Sequence, residues 1–264
     1  MIFMRTTIIT IIFLLLFFNF PAYSQQKIKD FYLSNFKKDG SRDWEVRGDE
    51  AIVNDDDVDI NDMKANYYSK DDTIVITSDK ATLNKENMNA HLQDNVKIKN
   101  KEGVTLSTES LDWKRDQNHI ETEDWVKTSK DSMQVTAKGL SADTEFRKID
   151  FVKEVEATYP DQKTGEPTTV TCTGPLEIEY NEGIAIFNDN VIITHPQGKM
   201  FADRATVHFG TEEKKIEKIV CEGNVKIERE DNITFAKKAT FYADQARLVL
   251  EGRPRVMYYM QDEE

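Results

Sequence analysis

The segment KATLNKENMNAHLQDNVKIKNKEGVTLST (residues 80–108) recurs in outline as ESLDWKRDQNHIETEDWVKTSKDSMQVTA (109–137) and as GPLEIEYNEGIAIFNDNVIITHPQGKMFA (174–202), a period of about 29 to 30 residues. Further copies begin at Arg204 and Lys238 and weaker ones at Glu50 and Lys138, so about seven units fill the chain. Within each unit apolar and polar residues alternate, as in NVKIK (95–99), VTLST (104–108), LEIEY (176–180), VIITH (191–195) and NVKIERE (224–230). That is the period of a strand with one covered face, and no long amphipathic helix competes with it. Asn, Asp, Gly and Lys cluster between the runs, as in NKEN (84–87) and NKEG (100–103), which suits hairpins and antiparallel pairing. Each unit reads as a hairpin, an Asp-Asn or Gly-Asn turn at its midpoint, and a second hairpin.

One such unit has too little apolar face to fold alone. Stacking units edge to edge buries a continuous inner wall, so the expectation is an all-β, elongated, twisted β-roll of stacked antiparallel hairpin repeats. The inward candidates are Leu83, Val96, Ile98, Leu106, Leu111, Val126, Val135, Ile178, Val191, Ile193, Val207, Val225, Ile227 and Phe235, while Lys97, Lys99, Glu177, Glu179, Lys226 and Glu228 alternate outward. Alternation identifies the inner face but leaves open whether that face is a filled core or an open groove. YPDQKTGEPTT (159–169) breaks the rhythm with two prolines and a glycine and reads as a long loop or a junction. FYLSNFKKDGSRDWEVRGDEA (31–51) places two apolar runs around a Lys-Lys-Asp-Gly turn, an amino-terminal hairpin.

The amino terminus has the form of an export signal. Arg5 is the sole early charge, Ile8 to Phe18 are apolar apart from Thr10, and Ala22-Tyr23-Ser24 offers small residues at cleavage spacing, with Gln25 as the expected mature start. Residues 1–24 are thus a signal peptide or, if uncleaved, a short membrane anchor; the apolar run is shorter than the ~20 residues a bilayer needs. With 39% hydrophobic residues the chain can bury a core, and its net charge of −13 without a Lys/Arg stripe argues against nucleic acid as a partner. Cys172 and Cys221 would meet an oxidising compartment, where they either pair in a disulfide or serve as two small buried apolar residues.

Nothing in the chain assembles a catalytic signature. The sequence has no GxSxG, HExxH or phosphate-loop motif, and His91, His119, His195 and His208 lack metal-ligand spacing and read as strand residues, so no cofactor is expected. NDDDVDIND (54–62) lacks the glycine and glutamate of an EF-hand loop and reads as a charged turn or an edge guard.

Phe31, Asp39-Gly40, Trp44, Gly48 and Ala51 form a pattern that resembles the start of the periplasmic domain of LptC-type lipopolysaccharide-export proteins. The later units, with KAT and RAT strands, DNVKI, DNVII and GNVKI segments and Asp-Arg-Ala or Lys-Lys-Ala restarts, resemble the OstA/LptA-type repeats of the same system. The resemblance implies an open β-jellyroll, as one body or two consecutive OstA-like units: an LptC-like or OstA-like jellyroll over 25–160 and an OstA/LptA-like continuation over 161–264. It implies no enzymatic activity. The implied role is binding lipopolysaccharide in the periplasm, free or held to the inner membrane by an uncleaved amino terminus, with lipid A acyl chains sheltered in the apolar groove. Other Lpt-type jellyrolls would be partners through edge-strand pairing, in a bridge that starts at an inner-membrane ABC transporter complex. RVMYYM (255–260) is a barely charged last strand, so Tyr258 and Tyr259, together with the hairpin around Trp44, are the candidate partner edges. A secreted structural or adhesive β-solenoid without a lipid ligand would carry the same repeats.

Overall fold

Alternating apolar residues can be covered on one face only if the strands they form are themselves covered, and here strands have only other strands to pack against. The computed structural model describes residues 26–69, 72–130, 132–160, 166–210, 216–230 and 232–258; the expected signal segment lies outside them. The strands are β1 (Gln26–Phe36), β2 (Arg42–Val53), β3 (Asp57–Tyr68), β4 (Thr73–Asn84), β5 (Ala90–Lys99), β6 (Thr105–Lys114), β7 (His119–Lys130), β8 (Met133–Asp143) and β9 (Lys148–Pro160). They continue as β10 (Pro167–Cys172), β11 (Leu176–Glu179), β12 (Ile184–His195), β13 (Gly198–Phe209), β14 (Ile216–Arg229), β15 (Asn232–Tyr242), β16 (Arg247–Glu251) and β17 (Arg255–Tyr258). All belong to one antiparallel sheet, and the only described helical residues are the 3-10 turn Arg115–Gln117.

The connectivity is a plain meander. Each of β1 to β9 pairs with the next, and β9 then pairs with both β10 and β11, two pieces of one interrupted strand that also pair with β12. From β12 the ladder runs on to β15, which pairs with another interrupted strand, β16 and β17. The opening hairpin forms as expected: Gly40 takes φ +84° in the turn, and the Lys37 N–H donates to the Ser41 carbonyl at 2.7 Å.

The long strands bend in the middle, and there the sequence reading of the Asp-Asn and Gly-Asn pairs needs correction. These pairs are bulges inside strands and not turns between hairpins. Asp94 and Asn95 in β5 have φ of 62° and 53°, Asp189 and Asn190 in β12 have 60° and 53°, and Gly223 and Asn224 in β14 have 77° and 45°. Asn, Asp and Gly are the residues that adopt this left-handed conformation at least cost. Ladder registers shift at the same places, between Gln93 and Val96 and between Glu222 and Val225. One inward position is skipped at each bend: buried residues flank it as Leu92 and Val96, Phe187 and Val191, or Cys221 and Val225, where strict alternation would have put another buried residue between. A repeat of about 29 residues is therefore one hairpin of two long, bent strands.

Neighbouring bends are clipped together. Asn95 donates to Asp79 at 2.6 Å, Ser110 to Asp124 at 2.6 Å, Asn190 to Thr173 at 3.0 Å and Asn224 to Asp203 at 2.9 Å. The Asp-Arg-Ala restart and the Gly-Asn-Val segment are thus two sides of one corner. Pro175 and Pro254 fall where β10 and β11, and β16 and β17, are interrupted, at the level of the bends, where a missing N–H costs no ladder bond.

Bending folds the sheet onto itself. Side chains from different halves of the roll meet inside: Val135 of β8 lies against Ile149, Phe151 and Ile178 of β9 and β11, and Tyr67 of β3 meets Trp113 of β6 edge to face at 5.6 Å. The result is the expected all-β jellyroll with one buried face. The region read as a loop or junction is a hairpin connection whose residues 161–165 lie outside the described set; on either side of it Pro160 pairs with Pro167, and the ladder runs on through Val155 with Cys172 and Phe151 with Leu176. The sheet does not break there.

Candidate functional site: the inner face and lips of the roll

The inner face is one apolar strip. Leu83, Val96, Ile98, Leu106, Leu111, Val126, Val135, Ile178, Val191, Val207, Val225 and Ile227 are buried on it, and Ile193 lies against it half-buried. Phe235 does not belong there. It stands opposite Lys226, whose neighbours Val225 and Ile227 are the buried ones, so the inward residue of that pair of strands is Thr234, opposite Ile227. Opposite the bulge between Glu222 and Val225 the inward phase of β15 shifts by one residue, from Ala239 to Thr234, and simple alternation cannot register such a shift. Phe235 shares the outer face with Phe201, over whose ring the Lys226 ammonium lies at 5.2 Å.

The strip is filled in the middle and open towards both ends. Val96 is fully buried, and the space around Val135, Phe151 and Ile178 holds only about 10 Å³. Towards the carboxy end Met200, Phe209, Ile216, Ile219, Leu248 and Leu250 are half-buried, and Val256, facing inward opposite Thr234, is 48% exposed. Towards the amino end Ile28 and Leu33, opposite the inner residues Ala51 and Val46, are 39% and 37% exposed.

The candidate edges differ from the sequence reading in one respect. Trp44 is on β2, the second strand, and is 7% exposed beneath the Arg115 guanidinium at 5.8 Å; the free edge is β1, with Tyr32 and Phe36 exposed. A bulky aromatic in the apolar phase of a strand reads the same whether it lies under a lip or on a surface. Tyr258 is exposed on the last strand, and Tyr259 lies outside the described residues.

Where the two layers meet opposite the bends, polar and aromatic residues form lips. The Arg115 guanidinium pairs with Asp43 at 2.7 Å, and the Lys130 ammonium lies 5.1 Å above the Tyr180 ring. These contacts join residues far apart in sequence and lie outside any repeat motif, which is why patterning missed them.

Cys172 and Cys221 are free thiols and form no disulfide. They sit on β10 and β14 with β12 and β13 between them, and both are buried. Burial pushes the thiols up to about 11 and about 12 respectively, so they behave as small apolar core residues. Among the described residues no group of three or more His, Cys, Asp or Glu could hold a metal ion. In NDDDVDIND, Asp57 accepts from Asn84 at 2.9 Å and Asp59 from Asn54 and Thr82 at 2.8 Å, within a turn and its flanking strands. His91 contacts Asp112 at 2.6 Å across β5 and β6, as a hydrogen-bonded strand residue would.

A bent-strand meander with one apolar face has now to be set against known families. The family model for lipopolysaccharide-assembly, LptC-related proteins matches residues 21–160, more than half of the chain. The chain belongs to this family. The model for the LptA/(LptD N-terminal domain) LPS transport proteins matches residues 174–263. No curated protein matches the chain. The LptC-related match ends at Pro160, the last residue of β9, and the LptA/LptD-type match begins at Gly174, between β10 and β11, so the two matched segments meet along β9 within one continuous ladder. Both families point to lipopolysaccharide transport in the periplasm, a role without enzymatic chemistry.

Proposed function

We propose that this LptC-related chain carries lipopolysaccharide by its acyl chains along the inner face, as a pre-joined length of a periplasmic bridge made of an LptC-like unit (residues 25–160) and an LptA-like unit (161–264). The observation that carries the proposal is the single apolar strip that passes without a break from the strands of one family match to those of the other. Acyl chains need no catalytic group: at about 0.8 kcal/mol per buried methylene, a wall of Val, Ile and Leu holds them by desolvation alone. The filled middle means that a chain lodges there only as the lips part, and the exposed inner residues at both ends are where lipid enters or leaves. The chain's acidic surface gives no attraction to lipid phosphates, so the acyl chains lead the binding.

The free edges would add strands of other Lpt-type jellyrolls, on the amino side within the inner-membrane transporter complex and on the carboxy side towards the outer membrane. Lipid extraction of the purified protein tests the carrier role: co-purifying lipid A is the expected result, and protein free of lipid after isolation from lipopolysaccharide-producing cells favours a ligand-free scaffold. A photo-crosslinker at Tyr258 is expected to capture another β-jellyroll protein in cells, and a clean lane at that position removes the bridge part of the proposal.

A further inference from the structure

At the lips, a cavity of about 300 Å³ opens between Tyr67 on one layer and the turns that carry Asn87, Arg115, Asp116, Asn118 and Thr144 on the other, with Trp113 as its aromatic wall. The geometry points to this cavity as a binding site for one ring of a neutral saccharide, a hexose or an N-acetylhexosamine. Its aromatic walls, Tyr67 and Trp113, also pack against the apolar strip, so the cavity borders it, but the proposal does not depend on acyl-chain carriage.

The lining sets the ligand class. The Arg115 charge is met by Asp43 at 2.7 Å, and Asp116 adds a carboxylate, so the cavity carries no net positive charge to attract a phosphate. Its free groups are of mixed polarity. No hydrogen bond among the described residues engages the Asp116 carboxylate or the Nδ2 groups of Asn87 and Asn118, and a neutral amide beside a carboxylate offers donors and acceptors together, as ring hydroxyls require. Tyr67 and Trp113, edge to face at 5.6 Å, supply the apolar flank for the C–H face of a pyranose.

Two further features show a built site and not a gap between turns. The Nε1–H group of Trp113, whose ring lines the cavity, is buried without a partner among the described residues. Asn118 is held in the left-handed conformation at φ 52°, its N–H donating to the Arg115 carbonyl at 3.1 Å and its side-chain oxygen accepting from the Thr144 hydroxyl, which leaves its Nδ2 group as the free donor.

The test uses the full chain with Trp125→Phe, since Trp125 is 51% exposed elsewhere on the roll and its removal leaves Trp44 and Trp113 as the emitters. Titration with N,N′-diacetylchitobiose is expected to change tryptophan emission saturably, and inorganic phosphate is expected not to. Asn118→Gly keeps the left-handed backbone while removing the amide, and Asp116→Asn removes the charge; each is expected to weaken the sugar about tenfold, the loss of one to two hydrogen bonds, with an unchanged melting curve for Asp116→Asn and, for Asn118→Gly, a modestly lower one from the lost Thr144 hydrogen bond. No saturable response to sugar, a response to phosphate instead, or a sugar response untouched by both variants overturns the proposal. Competition by intact lipopolysaccharide then separates the sources: displacement of the sugar identifies a lipid head group and persistence a free glycan, and both uphold the site.

Discussion

Asn224 tests the corner as the organising element of the fold. It sits at φ 45° in the bulge of β14 and donates to both carboxylate oxygens of Asp203, at 2.9 and 3.2 Å. Asn224→Ala removes that contact and places an alanine in the left-handed region, about 1–2 kcal/mol for the backbone and about 0.5–1 kcal/mol for an exposed hydrogen bond. Asn224→Gly removes the same hydrogen bond but relieves the backbone, so it is expected to cost about 1 kcal/mol, including the greater freedom of glycine in the unfolded chain. For a body of this size about 1 kcal/mol moves the melting temperature by about 2–4 °C. The alanine variant is therefore expected to melt about 4–10 °C lower and the glycine variant about 2–4 °C lower, by calorimetry or circular dichroism. Asp203→Ala combined with Asn224→Gly should lose no more than the larger single effect, because the partner is already gone. If alanine and glycine variants melt together, the bulge conformation is not what the asparagine provides and the reasoning fails.

Four other outcomes follow from particular contacts. Val225→Asp puts a carboxylate on the fully buried inner face and is expected to unfold the carboxy-terminal half or abolish lipid co-purification, so a folded, lipid-bearing variant would falsify the inward assignment. Asp150 has a buried, unpartnered oxygen and a carboxyl raised by burial, with Glu177 and Glu179 adding repulsion; the folded state therefore binds its proton more tightly than the unfolded state, and stability falls as pH rises through the carboxylate range, so Asp150→Asn should gain up to about 1 kcal/mol at pH 7 after allowance for solvent and nothing below the carboxylate range, and a loss at pH 7 in urea titrations would contradict this. Glu45 accepts from Asn66 at 2.7 Å, Arg42 at 2.8 Å, Tyr68 at 3.0 Å and Tyr32 at 3.1 Å, which holds its carboxyl below the usual range and ties β1 to β3 through β2; Glu45→Ala is expected to lower the amide-exchange protection factors in β1, and so is lowering the pH through the carboxylate range once the slower intrinsic exchange is divided out, while unchanged protection in β1 counts against the tie. The native protein is expected to leave both thiols unlabelled by an aromatic disulfide reagent at pH 8 and to yield two without reductant once denatured, whereas rapid native labelling would show that the cysteines are not core residues.

Much of this architecture was legible because alternation is a direct record of which face is covered. Val96 and Ile98, or Val225 and Ile227, are buried together as the alternation demands. What alternation could not supply is the path of a strand that turns a corner. The Asp94-Asn95 and Gly223-Asn224 pairs have turn chemistry because bulges and turns share one requirement, a residue that accepts positive φ, and only pairing on both sides separates the two cases. The same ambiguity misplaced Phe235, one residue out of phase after such a bulge. Contacts across the roll were invisible for a different reason: Arg115 and Asp43 are brought together by bending and stacking, and no local pattern encodes a partner 72 residues away. The candidate saccharide cavity lies partly in that class, since Tyr67, Asn87 and Thr144 are brought to the 113–118 segment from separate hairpins.

The passage through β9 bears on how such rolls grow. Val155 and Phe151 face Cys172 and Leu176 across the ladder, all buried, so separating the segments at the 161–165 connection would bare a paired edge and an apolar strip on both sides at once. A joint that separate chains would make by edge-strand addition is here made within one chain, where closure by a short connection costs far less than association from solution. Among the described residues the two terminal edges are β1 and the interrupted strand β16–β17, and they are not equivalent. β1 begins QKIKD, with the Lys27 side chain paired to Glu50 at 2.7 Å, and is the more charged of the two edges. β17 presents Val256, Met257 and Tyr258 at 48%, 46% and 75% exposure with no carboxylate among them. On the proposed bridge, β17 would therefore be the edge at which a further strand adds more readily, extending the inner strip from that end.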